Sequence, residues 1–128
     1  MPRAKQLTVT VPDRPGALGE IASALGEKKI NIVGFAGAKQ GDSGMIWFVV
    51  DKTAAAKKIF ASKGWSATED EVLSVTLANS PGSLGRYAAK LGKAGVNIVF
   101  AYTGSGSARK TNAYFGVSDL KAALKVRP

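Results

Sequence analysis

Apolar and polar positions along residues 6–70 predict six elements in the order strand, helix, strand, strand, helix, strand. Apolar residues alternate with threonines over Gln6–Val11, which is typical of a half-buried strand. From Leu18 the apolar positions recur at intervals of three and four, the spacing of one helical face. The remaining elements are a strand over Ile30–Ala38, a strand over Met45–Asp51, a helix over Thr53–Lys63 and a short strand over Trp65–Thr68.

The same pattern occurs a second time, because the chain repeats itself at an offset of 66 residues. Residues 9–33 and 75–99 are identical at 12 of 25 positions without a gap. A repeat of this length predicts two copies of one supersecondary unit, joined by an acidic linker at residues 69–71. The second copy has predicted strands over Leu73–Ala78, Val96–Thr103 and Thr111–Val117, and predicted helices over Gly82–Ala94 and Asp119–Lys125.

The order βαββαβ with right-handed crossovers gives an antiparallel sheet with helices on one face, the ferredoxin-like plan. We therefore predict an α+β fold of two such modules, at 7–70 and 71–128. Only 11 residues follow Val117, too few for a helix and a further strand, so the second module lacks its last strand. Its first strand, Leu73–Ala78, would then have an open edge, which we expect to pair with the other module or with a second copy of the chain.

Each copy has a proline-glycine turn before its first helix and an Asn-Ile pair at the start of its second strand. The turns are Asp13-Arg14-Pro15-Gly16-Ala17-Leu18 and Asn79-Ser80-Pro81-Gly82-Ser83-Leu84, and the pairs are Asn31-Ile32 and Asn97-Ile98. This constellation strongly resembles the ACT domain, a family of small βαββαβ modules that bind amino acids or related ligands, usually to regulate an enzyme or a transcription factor. The resemblance implies a tandem pair of ACT modules.

The resemblance also implies where a ligand binds. In ACT modules the ligand typically lies between two modules, against the first strand-helix turn of one and the second strand of its neighbour. The residues that this places at ligand sites are Asp13, Pro15, Gly16, Ala17, Leu18, Asn31, Ile32, Asn79, Ser80, Gly82, Ser83, Leu84, Asn97 and Ile98. No cofactor is implied. The implied partners are an amino acid or related small molecule, a second copy of the chain in a homodimer or higher oligomer, and a regulated enzyme or transcription factor.

The chemistry of these residue types agrees with that placement. A free amino acid has a carboxylate beside an ammonium, and backbone N–H groups at a helix N-terminus favour the carboxylate. Gly16 and Gly82 let a ligand approach the backbone closely. Asp13 accepts from the ammonium but repels an anion, so the sequence favours Asn79 and Asn97 for the tighter site. For each residue the alternative is a structural role, as a helix cap or in a connection.

Composition narrows the function further. The chain has no cysteine and no histidine, which removes thiolate chemistry, the commonest general base and the commonest transition-metal ligand. No nucleophile with a base and no pair of carboxylates recurs in both copies, so we expect no enzyme. No apolar run reaches the roughly 18–20 residues of a membrane span. The N-terminus has no apolar signal region, so we expect a cytoplasmic protein.

The net charge of +9 leaves one alternative open. Residues 1–70 contribute +3 and residues 71–128 contribute +6. Positive charge attracts nucleic acids, so the alternative function is that of a basic, ferredoxin-like nucleic-acid-binding protein. The central strands are too apolar for a sheet that stacks single-stranded bases, because basic residues are not interleaved with their aromatic ones. The sequence therefore favours amino-acid binding over nucleic-acid binding.

Overall fold

The computed structural model of the chain describes residues 2–128, which form two compact units. One unit comprises residues 5–70, and the other comprises residues 71–128 together with residues 2–4. Strands β1 (Arg3–Pro12) and β4 (Ser66–Ala78) each contribute residues to both units. No helix in the described part of the chain combines the length and the apolarity that crossing a bilayer requires.

Unit 5–70 is a four-stranded antiparallel sheet with two helices. Its further elements are α1 (Ala17–Glu27), β2 (Ile32–Gln40), β3 (Ser43–Val50) and α2 (Thr53–Ser62). Strand β3 pairs with both β1 and β2, and Phe48 lies opposite Leu7 on one side and Phe35 on the other. Strand β4 flanks β1, so the order β4-β1-β3-β2 is that of the predicted ferredoxin-like plan.

The core of unit 5–70 lies between its sheet and its helices. Apolar residues of the sheet meet the inward faces of the two helices, and the buried set includes Leu7, Val9, Ile21, Leu25, Phe48, Ala56 and Phe60. Helix α1 begins after Gly16, whose φ of 88° is one that glycine adopts without strain. At the other end Lys29 has a φ of 59°, where the second copy has Gly95. A side chain in this conformation costs about 1–2 kcal/mol.

The second unit repeats this plan on β4. Its further elements are α3 (Ser83–Lys93), β5 (Ile98–Gly106), β6 (Lys110–Val117) and α4 (Leu120–Ala123). Strand β6 pairs antiparallel with both β4 and β5. Its core is again between sheet and helices, and the buried set includes Leu73, Val75, Leu77, Tyr87, Leu91, Val96 and Phe115.

One prediction about this region is wrong. The sequence indicated a short strand, an acidic linker and then a new strand, whereas the structure has one strand of 13 residues, Ser66–Ala78. Basic residues of β1 and α2 pair with the acidic run, so its charge does not prevent an extended conformation. Glu71 is 3.2 Å from Arg3, and Glu69 is 3.9 Å from Lys5 and 3.1 Å from Lys57.

The first residues of the chain cover part of the edge that was expected to be open. The N–H of Ser74 donates to the carbonyl of Pro2 at 2.8 Å. In the described residues no strand follows α4. Residues 2–4 instead lie beside β4, where the ferredoxin-like plan has its fourth strand. Residues 2–4 lie outside both predicted modules, so this source of the pairing was not predicted.

Burial of the tyrosines makes the second unit sensitive to high pH. All three tyrosines lie in residues 71–128, and burial raises the pKa of Tyr87, Tyr102 and Tyr114 above the ordinary value of 10.0. For Tyr102 the neighbouring Tyr114 raises the pKa further. Because the folded-state pKa is the higher one, the stability from the neutral phenols is complete below pH 10 and is lost as pH rises above it.

We therefore expect residues 71–128 to unfold on alkaline titration, with tyrosinate absorbance rising together with the loss of folded structure. Both tryptophans, Trp47 and Trp65, lie in unit 5–70, so tryptophan fluorescence follows that unit in the same sample. Tyrosinate formation near pH 10 in a chain that stays folded would contradict this prediction.

Candidate ligand-binding cleft

A cleft of about 380 Å³ opens in unit 5–70 beside the turn between β1 and α1. Its walls come from the end of β1, the first turn of α1 and the β2–β3 hairpin. The lining residues are Val11, Pro12, Asp13, Arg14, Ala17, Leu18, Phe35, Gly37, Ala38, Gly44, Met45 and Ile46. This volume is near the lower end of the range for small-molecule sites, which suits a ligand of amino-acid size.

The strand order explains why the cleft forms at this edge. Strands β1 and β2 are both antiparallel to β3, so their carboxyl ends meet at the same edge of the sheet. Gly44 lies opposite Val11 of β1 and Lys39 of β2. Helix α1 starts at this edge, and its first bond runs from the N–H of Glu20 to the carbonyl of Gly16 at 2.9 Å. The N-terminus of α1 therefore faces the same space as the hairpin.

Opposite charges lie side by side at the mouth of the cleft. The Asp13 carboxylate is 3.1 Å from Lys39 Nζ, and Arg14 Nη2 is 2.6 Å from Glu20 Oε2. These side chains are largely exposed, so each pair contributes only about 0–1 kcal/mol and a ligand can replace either partner. In the part of the chain that the structure describes, no three acidic side chains converge as metal ligands would.

Two large apolar side chains and two glycines complete the cleft. Leu18 and Phe35 are large apolar residues that remain 42% and 52% exposed. Gly37 leaves space above β2, because a Cβ there would first meet Met45 O at 3.6 Å, whereas a Cβ on Gly44 would already lie 3.3 Å from Val11 Cγ2. Phe35, Gly37 and Lys39 were not predicted as site residues. The only signal for Phe35 was its place in a continuous apolar strand, which does not say which face is exposed.

The structure brings together only part of the predicted site within this unit. Asp13, Ala17 and Leu18 line the cleft, and Pro15 and Gly16 belong to the same turn. The Asn31-Ile32 pair lies at the other end of β2, about six strand residues or roughly 20 Å away. There the N–H of Asn31 donates to Asp51 Oδ1 at 2.9 Å, and the N–H of Asp51 donates back to the carbonyl of Asn31 at 3.1 Å.

The corresponding turn of the second unit is bonded to its own hairpin. The backbone N–H of Asn79 donates to Arg109 O at 2.8 Å, and its Nδ2 donates to Ala108 O at 3.2 Å. The hydroxyls of Ser80 and Ser83 lie 2.9 Å apart, and Gly82 has the same left-handed φ as Gly16. Leu84 is 57% exposed.

The second Asn-Ile pair lies away from its turn, as the first does. The N–H of Asn97 donates to Ser118 Oγ at 2.9 Å, and Ile98 begins β5. Asn79 and Asn97, which the sequence favoured as one site, are therefore at opposite ends of their sheet.

Comparison with known proteins agrees with this fold. Residues 5–58, which include the whole cleft, match the ACT domain family. No protein of curated function matches the sequence. Among solved structures, protein BT0572 from Bacteroides thetaiotaomicron is similar with a TM-score of 0.90 and 23% identity, over 98% of this chain and 86% of that one.

Two further similar structures are regulatory subunits of aspartate kinase. The regulatory subunit of aspartate kinase from Thermus thermophilus, in its ligand-free form, has a TM-score of 0.67 and 20% identity over 97% of this chain and 89% of that one. The subunit from Thermus flavus has a TM-score of 0.61 and 20% identity, over 98% and 90%. The chain therefore has an ACT-type, ferredoxin-like α+β fold, as the sequence predicted.

Proposed function

We propose that this protein is a regulatory protein of two ACT modules, at 7–70 and 71–128, which senses an amino acid in the cleft beside Asp13. The observation that carries the proposal is the cleft itself, where paired opposite charges, a helix N-terminus and an apolar wall meet in about 380 Å³. The match of residues 5–58 to the ACT domain supports it. So does the similar fold of two regulatory subunits of aspartate kinase.

Each part of the cleft suits one part of an amino acid. The ligand ammonium takes the place of Lys39 Nζ at the Asp13 carboxylate. The ligand carboxylate then accepts from the released Lys39 and from N–H groups in the first turn of α1. Leu18 and Phe35 remain for the side chain of the ligand, so a small or aliphatic amino acid fits best. Because Lys39 neutralises Asp13, the repulsion of an anion expected from the sequence is reduced.

The proposed role is binding and not catalysis. A ligand stabilises the unit that holds it by mass action, and it favours the conformation or assembly that binds it more tightly. The readout is then a contact with a regulated enzyme or transcription factor. Asn31, Ile32 and the residues of the second turn stay within the proposal as ligand contacts made across a homodimer or higher oligomer.

The test is a thermal-shift screen against the twenty amino acids, in which tryptophan fluorescence monitors unfolding. We expect at least one to raise the melting temperature of unit 5–70 by roughly 10–20 °C at about 100 times its Kd, where binding contributes about 2.7 kcal/mol. Gly37→Leu is expected to abolish the shift, because the leucine side chain fills the cleft. The new Cβ makes only ordinary contacts, 3.6 Å from Met45 O and 3.7 Å from Ile46 Cγ1, so the variant should fold.

Gly26→Leu is the matched control, because a Cβ on Gly26 meets nothing within 4 Å and the residue does not line the cleft. It should keep the ligand shift. Asn79→Ala and Asn97→Ala, in the same screen, report whether the second turn and the second Asn-Ile pair contribute. The proposal fails if none of the twenty amino acids shifts the melting temperature, or if the shift survives in Gly37→Leu.

A further inference from the structure

A second, larger groove of about 680 Å³ lies wholly within the unit of residues 71–128 and 2–4. Its floor is the outer edge of β4 over Leu73–Thr76. One wall is formed by Tyr87 of α3 and by Leu124 and Val126 beyond α4, and Pro2 lies at one end. This groove shares no residue with the cleft beside Asp13, so its function is a separate question.

Strand β4, at the floor of the groove, directs backbone N–H and C=O groups toward the groove. Strand β4 pairs with β6 over Leu73–Ala78, and on its other side it is flanked by β1, which begins at Arg3. The bond from Ser74 to Pro2, at 2.8 Å, marks how far that second pairing extends in residues 2–128. In an antiparallel strand alternate residues direct their N–H and C=O to the same side. Thr76 and Ala78 therefore present theirs on the side of the groove, as Ser74 does.

The unit around the groove is strongly basic. Residues 2–4 and 71–128 contain nine Lys and Arg against two Asp and Glu, a net charge of +7, whereas residues 5–70 have a net charge of +2. Both acids are engaged, since Glu71 pairs with Arg3 and Asp119 accepts from the N–H of Ala122 at the start of α4. Arg127 lines the groove, and Lys90 Nζ donates to the Arg127 carbonyl at 3.3 Å. Because the lining within residues 2–128 contains Arg127 and no acidic side chain, a ligand in this groove meets positive charge.

We propose that the groove binds an extended, acidic segment of a partner protein, which adds to β4 as an edge strand. The backbone of that segment pairs with Thr76 and Ala78, as in other cases of strand addition. Every second side chain of the segment is apolar and lies against Leu124 and Val126, and its carboxylates meet Arg127 and Lys90. Pairing with the same edge of a second copy is disfavoured, because it would oppose two units of charge +7.

The test is a titration of the full chain, labelled with nitrogen-15, with two peptides of about ten residues that carry the proposed chemistry or its opposite. One alternates valine with glutamate, and the other alternates valine with lysine. We expect only the glutamate peptide to shift the amide signals of residues 74–78 and 124–127. Thr76→Pro should weaken its binding at least about tenfold, because proline lacks the N–H and its ring obstructs the edge. Thr76→Val keeps the N–H and should bind as the parent does.

Thr76 is exposed at a strand edge, a position where proline is tolerated, so both variants should fold. If Thr76→Pro does not fold, Arg127→Glu takes its place in the test. This variant is expected to weaken the binding of the glutamate peptide by a similar factor. The proposal is overturned if the glutamate peptide shifts none of these signals at about 1 mM, a concentration that detects even weak binding. It is also overturned if a folded Thr76→Pro binds unchanged, or if a single-stranded oligonucleotide binds these residues more tightly than the peptide.

Discussion

Replacing Phe60 with alanine is expected to lower the free energy of unfolding of residues 5–70 by about 3–5 kcal/mol. Phe60 is 0% exposed, and its ring lies 6.1 Å from the rings of both Phe48 and Trp65. It thereby joins helix α2 to the sheet and to the residue that precedes β4. Alanine removes these contacts and leaves a cavity that neighbours from three elements must close, which they do only in part.

The measurement is urea unfolding followed by tryptophan fluorescence, which reports on this unit because Trp47 and Trp65 both lie in it. Lys58→Ala is the control, since it changes an exposed residue of the same helix and should alter the free energy of unfolding by no more than about 0.5 kcal/mol. A loss for Phe60→Ala as small as that for Lys58→Ala would show that α2 does not pack on the sheet through this residue.

The local features of the fold could be predicted because hydrophobic spacing depends only on near neighbours in sequence. The helical positions Ile21 and Leu25, and Tyr87 and Leu91 of the second copy, are all buried as their spacing indicated. The first apolar position of α1 is different, because Leu18 is 42% exposed and lines the cleft. Spacing identifies the face of a helix but not how far the sheet beneath it extends.

The features that were missed depend on partners distant in sequence. The acidic residues Glu69 and Glu71 were interpreted as a linker from their charge alone, and the residues that keep them in a strand, Lys5 and Arg3, lie more than 60 positions earlier. The same holds for the cleft. Asp13 was identified from its turn motif, but its partner Lys39 comes from β2 and reaches it only because β1 and β2 end at the same edge.

Gly116→Ala is expected to destabilise residues 71–128 by about 1–3 kcal/mol, the usual cost of overpacking. Gly116 is buried in β6 opposite Phe100 of β5. A Cβ at this position would clash with the ring of Phe100, because Cδ2 would be only 2.6 Å away and Cε2 and Cζ would be closer still. The ring has little freedom to withdraw, because it stacks on Tyr102 at 6.3 Å, and Tyr102 in turn lies 5.4 Å from Tyr114.

A second substitution separates the ring from the backbone as the source of this cost. The φ of Gly116 is not in the left-handed region, so alanine causes no backbone strain there. In a strand alanine is ordinarily favoured over glycine. In a Phe100→Ala background the added methyl group has room, so Gly116→Ala should be neutral or stabilising by up to about 1 kcal/mol. Hydrogen exchange of peptides from residues 71–128, in the four members of this cycle, gives the coupling between the two positions. An equal loss in both backgrounds would place the strain in the β5–β6 backbone and not in the aromatic ring.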